Sequence, residues 1–116
     1  MARILLADDD KGSRDLVRRA LELDGHAVVT AEDGIEAQSL LRSDRFDLLV
    51  TDVQMPGLDG ISLAKEAIAR DAAIRVAVMS GYTDKLDAVL LARGARLLIK
   101  PLAIERIRSE VRAALA

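Results

Sequence analysis

Five short runs of consecutive apolar residues recur along the chain at nearly regular intervals. None of them alternates cleanly with polar residues, as a strand with one solvated face would. Continuous apolar runs of about four residues are typical of strands that are covered on both faces of a sheet. We therefore predict five buried strands, around residues 4–7, 27–29, 48–50, 76–79 and 97–99.

Between the predicted strands, apolar residues recur at helical spacing, which places them on one face of a helix. The first such stripe lies between Leu16 and Leu21 and is followed by Gly25, a candidate helix C-cap. The other four helices are marked by Ile35, Leu40 and Leu41, by Ile61, Ala64 and Ile68, by Leu86, Val89 and Leu90, and by Ile104, Ile107, Val111 and Leu115. Strands that alternate with helices form right-handed crossovers. We expect an α/β fold with a single doubly wound, five-stranded parallel sheet and five helices.

Length and composition narrow the class of protein. The 116 residues suffice for one hydrophobic core, and we expect a single domain over residues 1–116. The absence of cysteine excludes a disulfide framework, a thiolate metal site and a cysteine nucleophile. A net charge of −2 and an aromatic content of 2% argue against direct binding of nucleic acid or a membrane. No apolar run approaches the ~20 residues of a membrane span, so we expect a cytoplasmic protein.

Acidic residues directly follow two of the predicted strands. Asp8, Asp9 and Asp10 follow the first strand, and Thr51 and Asp52 follow the third. Ligands of open α/β sheets bind outside the carboxyl ends of the strands. Asp8, Asp9 and Asp52 would therefore share one site if strands one and three are neighbours, whereas Asp10 alone is better explained as a helix cap. Carboxylates ~4 Å apart repel by about 4 kcal/mol at an effective dielectric constant near 20, so either one stays protonated or a Mg²⁺ or Mn²⁺ ion lies among them.

Two more polar residues follow the remaining strands. Ser80 follows the fourth strand and Lys100 follows the fifth. Taken singly, a serine before Gly81 is usually a turn residue, and a lysine at a strand end is usually solvated. Together with a metal-bound carboxylate cluster, however, the hydroxyl and the ammonium group could hold one tetrahedral dianion.

These features resemble the response-regulator receiver domain of two-component signalling. The matching parts are the strand followed by Asp8-Asp9, the stretch DVQMPGLDG that begins at Asp52, then Ser80-Gly81 and Lys100-Pro101, all in the family's order and spacing. The resemblance covers essentially the whole chain. It implies a flavodoxin-like fold with strand order 2-1-3-4-5.

The resemblance also implies a role for each acidic residue. Asp52 would be the nucleophile that takes a phosphoryl group from the phosphohistidine of a sensor histidine kinase or of a phosphotransfer protein. Mg²⁺ would be bound by the carboxylates of Asp9 and Asp52 and by the main-chain carbonyl of Gln54, with Asp8 orienting metal-bound water. An ionised aspartate needs no general base. By resemblance, we expect no enzyme activity beyond acceptance and hydrolysis of the protein's own phosphoryl group.

The remaining implied roles concern the phosphoryl group and its surroundings. Ser80 would donate a hydrogen bond to the phosphoryl oxygens, Lys100 would pair with them, and the Lys100–Pro101 peptide would be cis. The family usually has an aromatic residue three positions before this lysine, where this chain has Leu97, and leucine cannot report phosphorylation by the same rotamer change. Tyr82 could shield the acyl phosphate from water or pack on the fourth helix, and Gln54 could influence the attacking water or be inert.

By resemblance, the surface that reads out phosphorylation is formed by the fourth helix, the fifth strand and the fifth helix. Phosphorylation would shift the domain between two pre-existing populations. The expected readout surface is basic, which suits an acidic output partner, a fused output domain or a homodimer. Its basic residues are Lys85, Arg93, Arg96, Arg106, Arg108 and Arg112.

Two other functions remain open from the sequence. A receiver-like interaction module that signals without phosphorylation is favoured only by Leu97. A Mg²⁺-dependent phosphatase with an aspartyl intermediate would usually carry a second aspartate two residues after the nucleophile, where this chain has Gln54.

Overall fold

Five parallel strands form the centre of the protein. The structure, a computed structural model, describes residues 1–81, 90 and 92–116. The strands are β1 (Arg3–Ala7), β2 (Ala27–Ala31), β3 (Leu48–Asp52), β4 (Arg75–Ser80) and β5 (Arg96–Ile99). They pair in the order β2-β1-β3-β4-β5, and every neighbouring pair is parallel. The predicted α/β class and strand order are confirmed.

Four of the five predicted helices lie within the described residues. They are α1 (Lys11–Leu23), α2 (Gly34–Ser43), α3 (Gly60–Arg70) and α4 (Ile104–Leu115). The label α4 thus denotes the fifth helix of the prediction. In the stripe that predicted the fourth helix, Leu86 and Val89 fall outside the described residues, and Leu90 is fully buried. None of the helices in the described ranges is long and apolar enough to cross a membrane.

Aspartate caps begin three of the helices. The side chains of Asp10, Asp33 and Asp59 each accept a hydrogen bond from the main-chain N–H three residues further on. Each cap satisfies a main-chain N–H that has no partner within the first turn of the helix. Such a cap contributes about 1 kcal/mol to the stability of the protein. The cap expected at Asp10 is therefore present, and the Asp10 side chain is hydrogen-bonded to the first turn of α1.

The sheet separates two hydrophobic clusters. On one face, Leu5 and Leu49 pack against α2 and α3, and on the other Leu6 and Val50 pack against α1 and α4. Both faces of the sheet are covered, which explains why the strands read as continuous apolar runs. Ile35 is an exception to the predicted stripe of α2. Ile35 is 55% exposed, because Ala37 and Leu41 form the buried face of that helix.

Several basic residues of the expected readout surface are already paired within the chain. The Arg108 guanidinium donates to Asp24 at the end of α1, at 2.6 Å, so Arg108 is turned towards α1. Arg96 on β5 donates to Glu110 on α4 at 2.9 Å. These contacts reduce the basic charge that the surface offers to a partner. Lys85 lies outside the described residues.

Candidate functional site

The strand register brings the ends of four strands to one edge of the sheet. Ala7 pairs with Thr51, Asp52 with Met79 and Ser80 with Ile99. The polar residues at or just beyond these strand ends therefore gather at the same edge. They are Asp8, Asp9, Asp52, Ser80 and Lys100.

Asp52 is the last residue of β3 and is only 9% exposed. Its main-chain carbonyl accepts a hydrogen bond from the Thr51 hydroxyl at 3.0 Å. The first residue of α3, Gly60, packs directly behind this carbonyl and donates its N–H to the Val53 carbonyl at 2.8 Å. A Cβ atom at Gly60 would lie 1.8 Å from the Asp52 carbonyl oxygen, so only glycine permits this approach.

Replacement of Gly60 by alanine should therefore destabilise the protein strongly. The added methyl group meets main-chain atoms, which cannot yield as a flexible side chain would. We expect Gly60→Ala to lower the free energy of unfolding by about 3 kcal/mol or more, as measured by urea denaturation. Gly12→Ala is the matched control at the start of α1, where the nearest atom lies 3.7 Å from the added Cβ. The control should be neutral or stabilising by up to about 1 kcal/mol. Equal stabilities of the two variants would contradict this packing.

The three candidate acidic residues lie together. Asp8, Asp9 and Asp52 each place one carboxylate oxygen so that all three oxygens lie within 4.8 Å of one another. Asp8 is fully buried, and its Oδ1 atom accepts the N–H of Asp10 at 3.0 Å. Its Oδ2 atom is buried and has no hydrogen-bond partner among the described residues. A buried carboxylate oxygen without a donor, next to two further carboxylates, suits a hard divalent cation such as Mg²⁺.

Lys100 supplies positive charge to this cluster. Its Nζ atom donates to Asp52 Oδ2 at 3.0 Å. Burial alone lowers the pKa of Lys100, but the hydrogen bond to Asp52 and the charges of Asp52 and Asp8 raise it overall. Burial likewise raises the pKa of Asp8, an effect that the nearby Ser13 hydroxyl, the Asp10 N–H and Lys100 oppose only in part. The site therefore combines a charged lysine with one carboxylate, that of Asp8, that is costly to ionise.

Main-chain hydrogen bonds connect the loops around the site. The Lys100 N–H donates to the Ser80 carbonyl at 2.8 Å, and Val53 N–H donates to the carbonyl of Met79 at 3.0 Å. Ser80 is 8% exposed at the end of β4. The Lys100–Pro101 peptide is cis, as the resemblance implied. Ser80 and Lys100 are thus carried by adjacent strand ends beside the acidic cluster.

The three residues expected to modify the site are Gln54, Leu97 and Tyr82, and the two that the structure describes do not share one environment. Gln54 is exposed in the loop that follows β3. Leu97 is half-buried on β5 and packs against the hydrophobic cluster that also contains Leu90. Tyr82 lies outside the described residues. The predictions for Gln54 and Leu97 therefore concern two different positions, one at the rim of the site and one against the hydrophobic cluster.

Comparisons with known proteins agree on one family. Residues 4–112 match the family described as the response regulator receiver domain. The chain is 38% identical over 115 residues to the response regulator MprA of Mycobacterium tuberculosis, an alignment that covers 97% of the chain and 50% of MprA. The chain thus spans about half the length of these curated relatives.

Solved structures show the same similarity in three dimensions. The chemotaxis response regulator CheY4 of Vibrio cholerae has a TM-score of 0.88 at 28% identity, with 99% of each chain covered. The response regulator TrrA of Thermotoga maritima, solved in complex with Mg²⁺ and BeF, has a TM-score of 0.87 at 26% identity and covers 99% of this chain and all of its own.

Proposed function

The chain belongs to the response regulator receiver domain family, and on this premise we propose that it accepts a phosphoryl group on Asp52 and thereby switches a partner-binding surface. Receiver domains of response regulators are signalling modules without a dedicated catalytic activity, and they interact with histidine kinases or phosphotransfer proteins. We propose that residues 1–116 form one such domain, that it acts in the cytoplasm, and that its donor is a phosphohistidine of this kind of partner. The output partner, a fused output domain or a second copy of the chain would read the switch.

The observation that carries this proposal is the environment of the Asp52 carboxylate. One of its oxygens accepts a hydrogen bond from Lys100 Nζ at 3.0 Å, and the carboxylate lies in one cluster with those of Asp8 and Asp9. No other carboxylate of that cluster combines a strand-end position with a hydrogen bond from a lysine. This favours Asp52 as the nucleophile and leaves Asp9 as a ligand of the cation and Asp8 for its bound water.

In the proposed reaction, a carboxylate oxygen of Asp52 forms a bond to phosphorus while the P–N bond of the donor breaks. The electron pair of that bond stays on the departing imidazole nitrogen. Lys100 neutralises negative charge on the transferred group, and the Ser80 hydroxyl donates to one of its oxygens. Such a transfer depends on in-line positioning and charge neutralisation more than on acid or base catalysis.

The acidic cluster suits a Mg²⁺ or Mn²⁺ ion. We propose that Asp9, Asp52 and the main-chain carbonyl of Gln54 would hold it directly, and that Asp8 would orient its bound water. When bound, the cation offsets the charge of the carboxylates and of the phosphoryl group. The buried, unpartnered Oδ2 atom of Asp8 supports this assignment.

Readout would begin at Ser80. A new dianion beside the β4 end attracts the serine hydroxyl and with it the end of β4, which biases the domain towards its second population. Leu97 lies on β5 next to β4, where Val78 is its register partner. Its half-buried packing supports a readout by shifts of the core rather than by an aromatic rotamer.

The proposal is tested by labelling the protein with acetyl phosphate in the presence of Mg²⁺. We expect a covalent phosphoryl label that hydroxylamine removes, as it does from an acyl phosphate, and that a chelator prevents from forming. A partner that binds equally well with and without beryllofluoride would instead favour signalling without phosphorylation. Absence of any label under Mg²⁺ would contradict the proposed function.

A further inference from the structure

We propose that Arg14 is a positioning residue for the acidic cluster. Arg14 lies near the start of α1, and its side chain is only 12% exposed. Its Nη1 atom donates to the main-chain carbonyl of Asp8 at 2.8 Å, and its Nη2 atom lies 3.6 Å from a carboxylate oxygen of Glu32. A single guanidinium group thus connects the loop after β1 with the loop after β2. The inference rests on the proposed function only in taking the cluster as a Mg²⁺ site.

The contacts of Arg14 complete a closed set of bonds around Asp8. The N–H of Asp8 donates to the carbonyl of Ala31, the last residue of β2, at 3.1 Å, and Glu32 follows Ala31 directly. Asp8 Oδ1 accepts the Asp10 N–H at 3.0 Å. The main chain of Asp8 is therefore held at both its N–H and its carbonyl, and one carboxylate oxygen is held as well. Within the part of the chain that the structure describes, Oδ2 alone among the polar atoms of Asp8 has no hydrogen-bond partner and is left for another ligand.

Arg14 would act through geometry rather than through its charge. The charged groups with the largest effect on the Asp8 carboxylate are Lys100 and Asp52. The ion pair of Arg14 with Glu32 is weak, because the Glu32 side chain is 75% exposed to solvent. What Arg14 contributes is a planar fork, in which two nitrogen atoms point to two different loops. A lysine has the same charge, but its donors all lie on one nitrogen atom and lack the fixed planar geometry of this fork.

The difference between the arginine fork and a lysine of equal charge can be tested by Mg²⁺ binding. Isothermal titration calorimetry with Mg²⁺ alone would be performed on the full chain, on Arg14→Gln and on Arg14→Lys. Because residues that orient metal ligands typically affect metal affinity by 10–100-fold, we expect both variants to weaken Mg²⁺ binding by about tenfold or more. Arg19→Gln is the matched control, since Arg19 is an exposed arginine on the same helix. It should bind Mg²⁺ like the unsubstituted chain.

The possible outcomes separate this inference from the alternatives. Wild-type Mg²⁺ affinity in folded Arg14→Gln overturns the proposal, and wild-type affinity in Arg14→Lys shows that charge alone suffices and overturns it too. If the role of Arg14 is purely structural, the variants should unfold at a lower temperature. Their Mg²⁺ affinity, measured well below that temperature, should then equal that of the unsubstituted chain. If Arg14→Gln does not fold, Arg14→Lys carries the test. If the Arg14 variants bind Mg²⁺ more weakly but acetyl phosphate does not label the unsubstituted chain, the proposed function is refuted and the role of Arg14 stands.

Discussion

Asp52→Asn is expected to reduce phosphoryl labelling by acetyl phosphate and Mg²⁺ to the level of a protein-free control. The amide has no ionised oxygen to attack phosphorus, and it cannot form the ion pair that Lys100 Nζ makes with Asp52 at 3.0 Å. The measurement is the amount of hydroxylamine-sensitive phosphate on the protein at a fixed time.

Asp59→Asn is the matched control for this experiment. Asp59 lies in the same stretch of sequence and undergoes the same chemical change, but it caps α3 by accepting the Ser62 N–H at 2.9 Å. Asparagine caps helices about as well as aspartate, so the fold should be retained. We expect normal labelling of Asp59→Asn. Equal loss in both variants, or retained labelling in Asp52→Asn, would show that Asp52 is not the specific acceptor.

Asp8→Asn is expected to stabilise the metal-free protein while weakening Mg²⁺ binding. The Asp8 carboxylate is fully buried, lies beside Asp9 and Asp52, and has one oxygen without a donor. Repulsion between carboxylates at about 4 Å amounts to about 4 kcal/mol at an effective dielectric constant near 20, and Lys100 offsets part of it. Removal of the charge should therefore raise the free energy of unfolding by about 1–3 kcal/mol in the presence of a chelator.

The pH dependence of stability gives a second readout of the same effect. Burial raises the pKa of Asp8 above its usual value of 3.8, so the folded state holds this proton more tightly than the unfolded state. The favourable contribution of the protonated group is complete below pH 3.8 and is lost as the pH rises through the pKa of the folded state. The stability of Asp8→Asn relative to the wild type should accordingly increase from acidic to neutral pH. A variant that is less stable than the wild type at neutral pH, without metal, would contradict this account.

Much of the fold followed from the sequence because the sheet is covered on both faces. Continuous apolar runs such as 4–7 and 48–50 are readable without knowledge of their neighbours, and glycine and aspartate mark the ends of helices. Ile35 shows the limit of this reasoning. Its spacing fits the apolar stripe of α2, but the small residue Ala37 forms part of the buried face. Periodicity alone does not tell which of the two residues is buried.

The acidic site was predictable because its residues lie at the ends of strands or directly after them in the sequence. The strand-end positions of Asp52 and Lys100 follow directly from the apolar runs that precede them, whereas their adjacency required the strand order that the family resemblance supplied. Arg14 and Glu32 could not be found in this way. Their connection depends on how α1 is oriented against the end of β2, and an arginine in a helix that contains two others carries no local signal of such a contact.

The central claim is that one carboxylate, that of Asp52, becomes an acyl phosphate. Borohydride reduces an acyl phosphate to an alcohol and thus converts a phosphorylated aspartate to homoserine, whereas free carboxylates do not react. Peptide mass spectrometry of the labelled and reduced chain should find homoserine at position 52 and aspartate at positions 8, 9 and 10. Homoserine at position 8 or 9, with unchanged aspartate at position 52, would contradict the account.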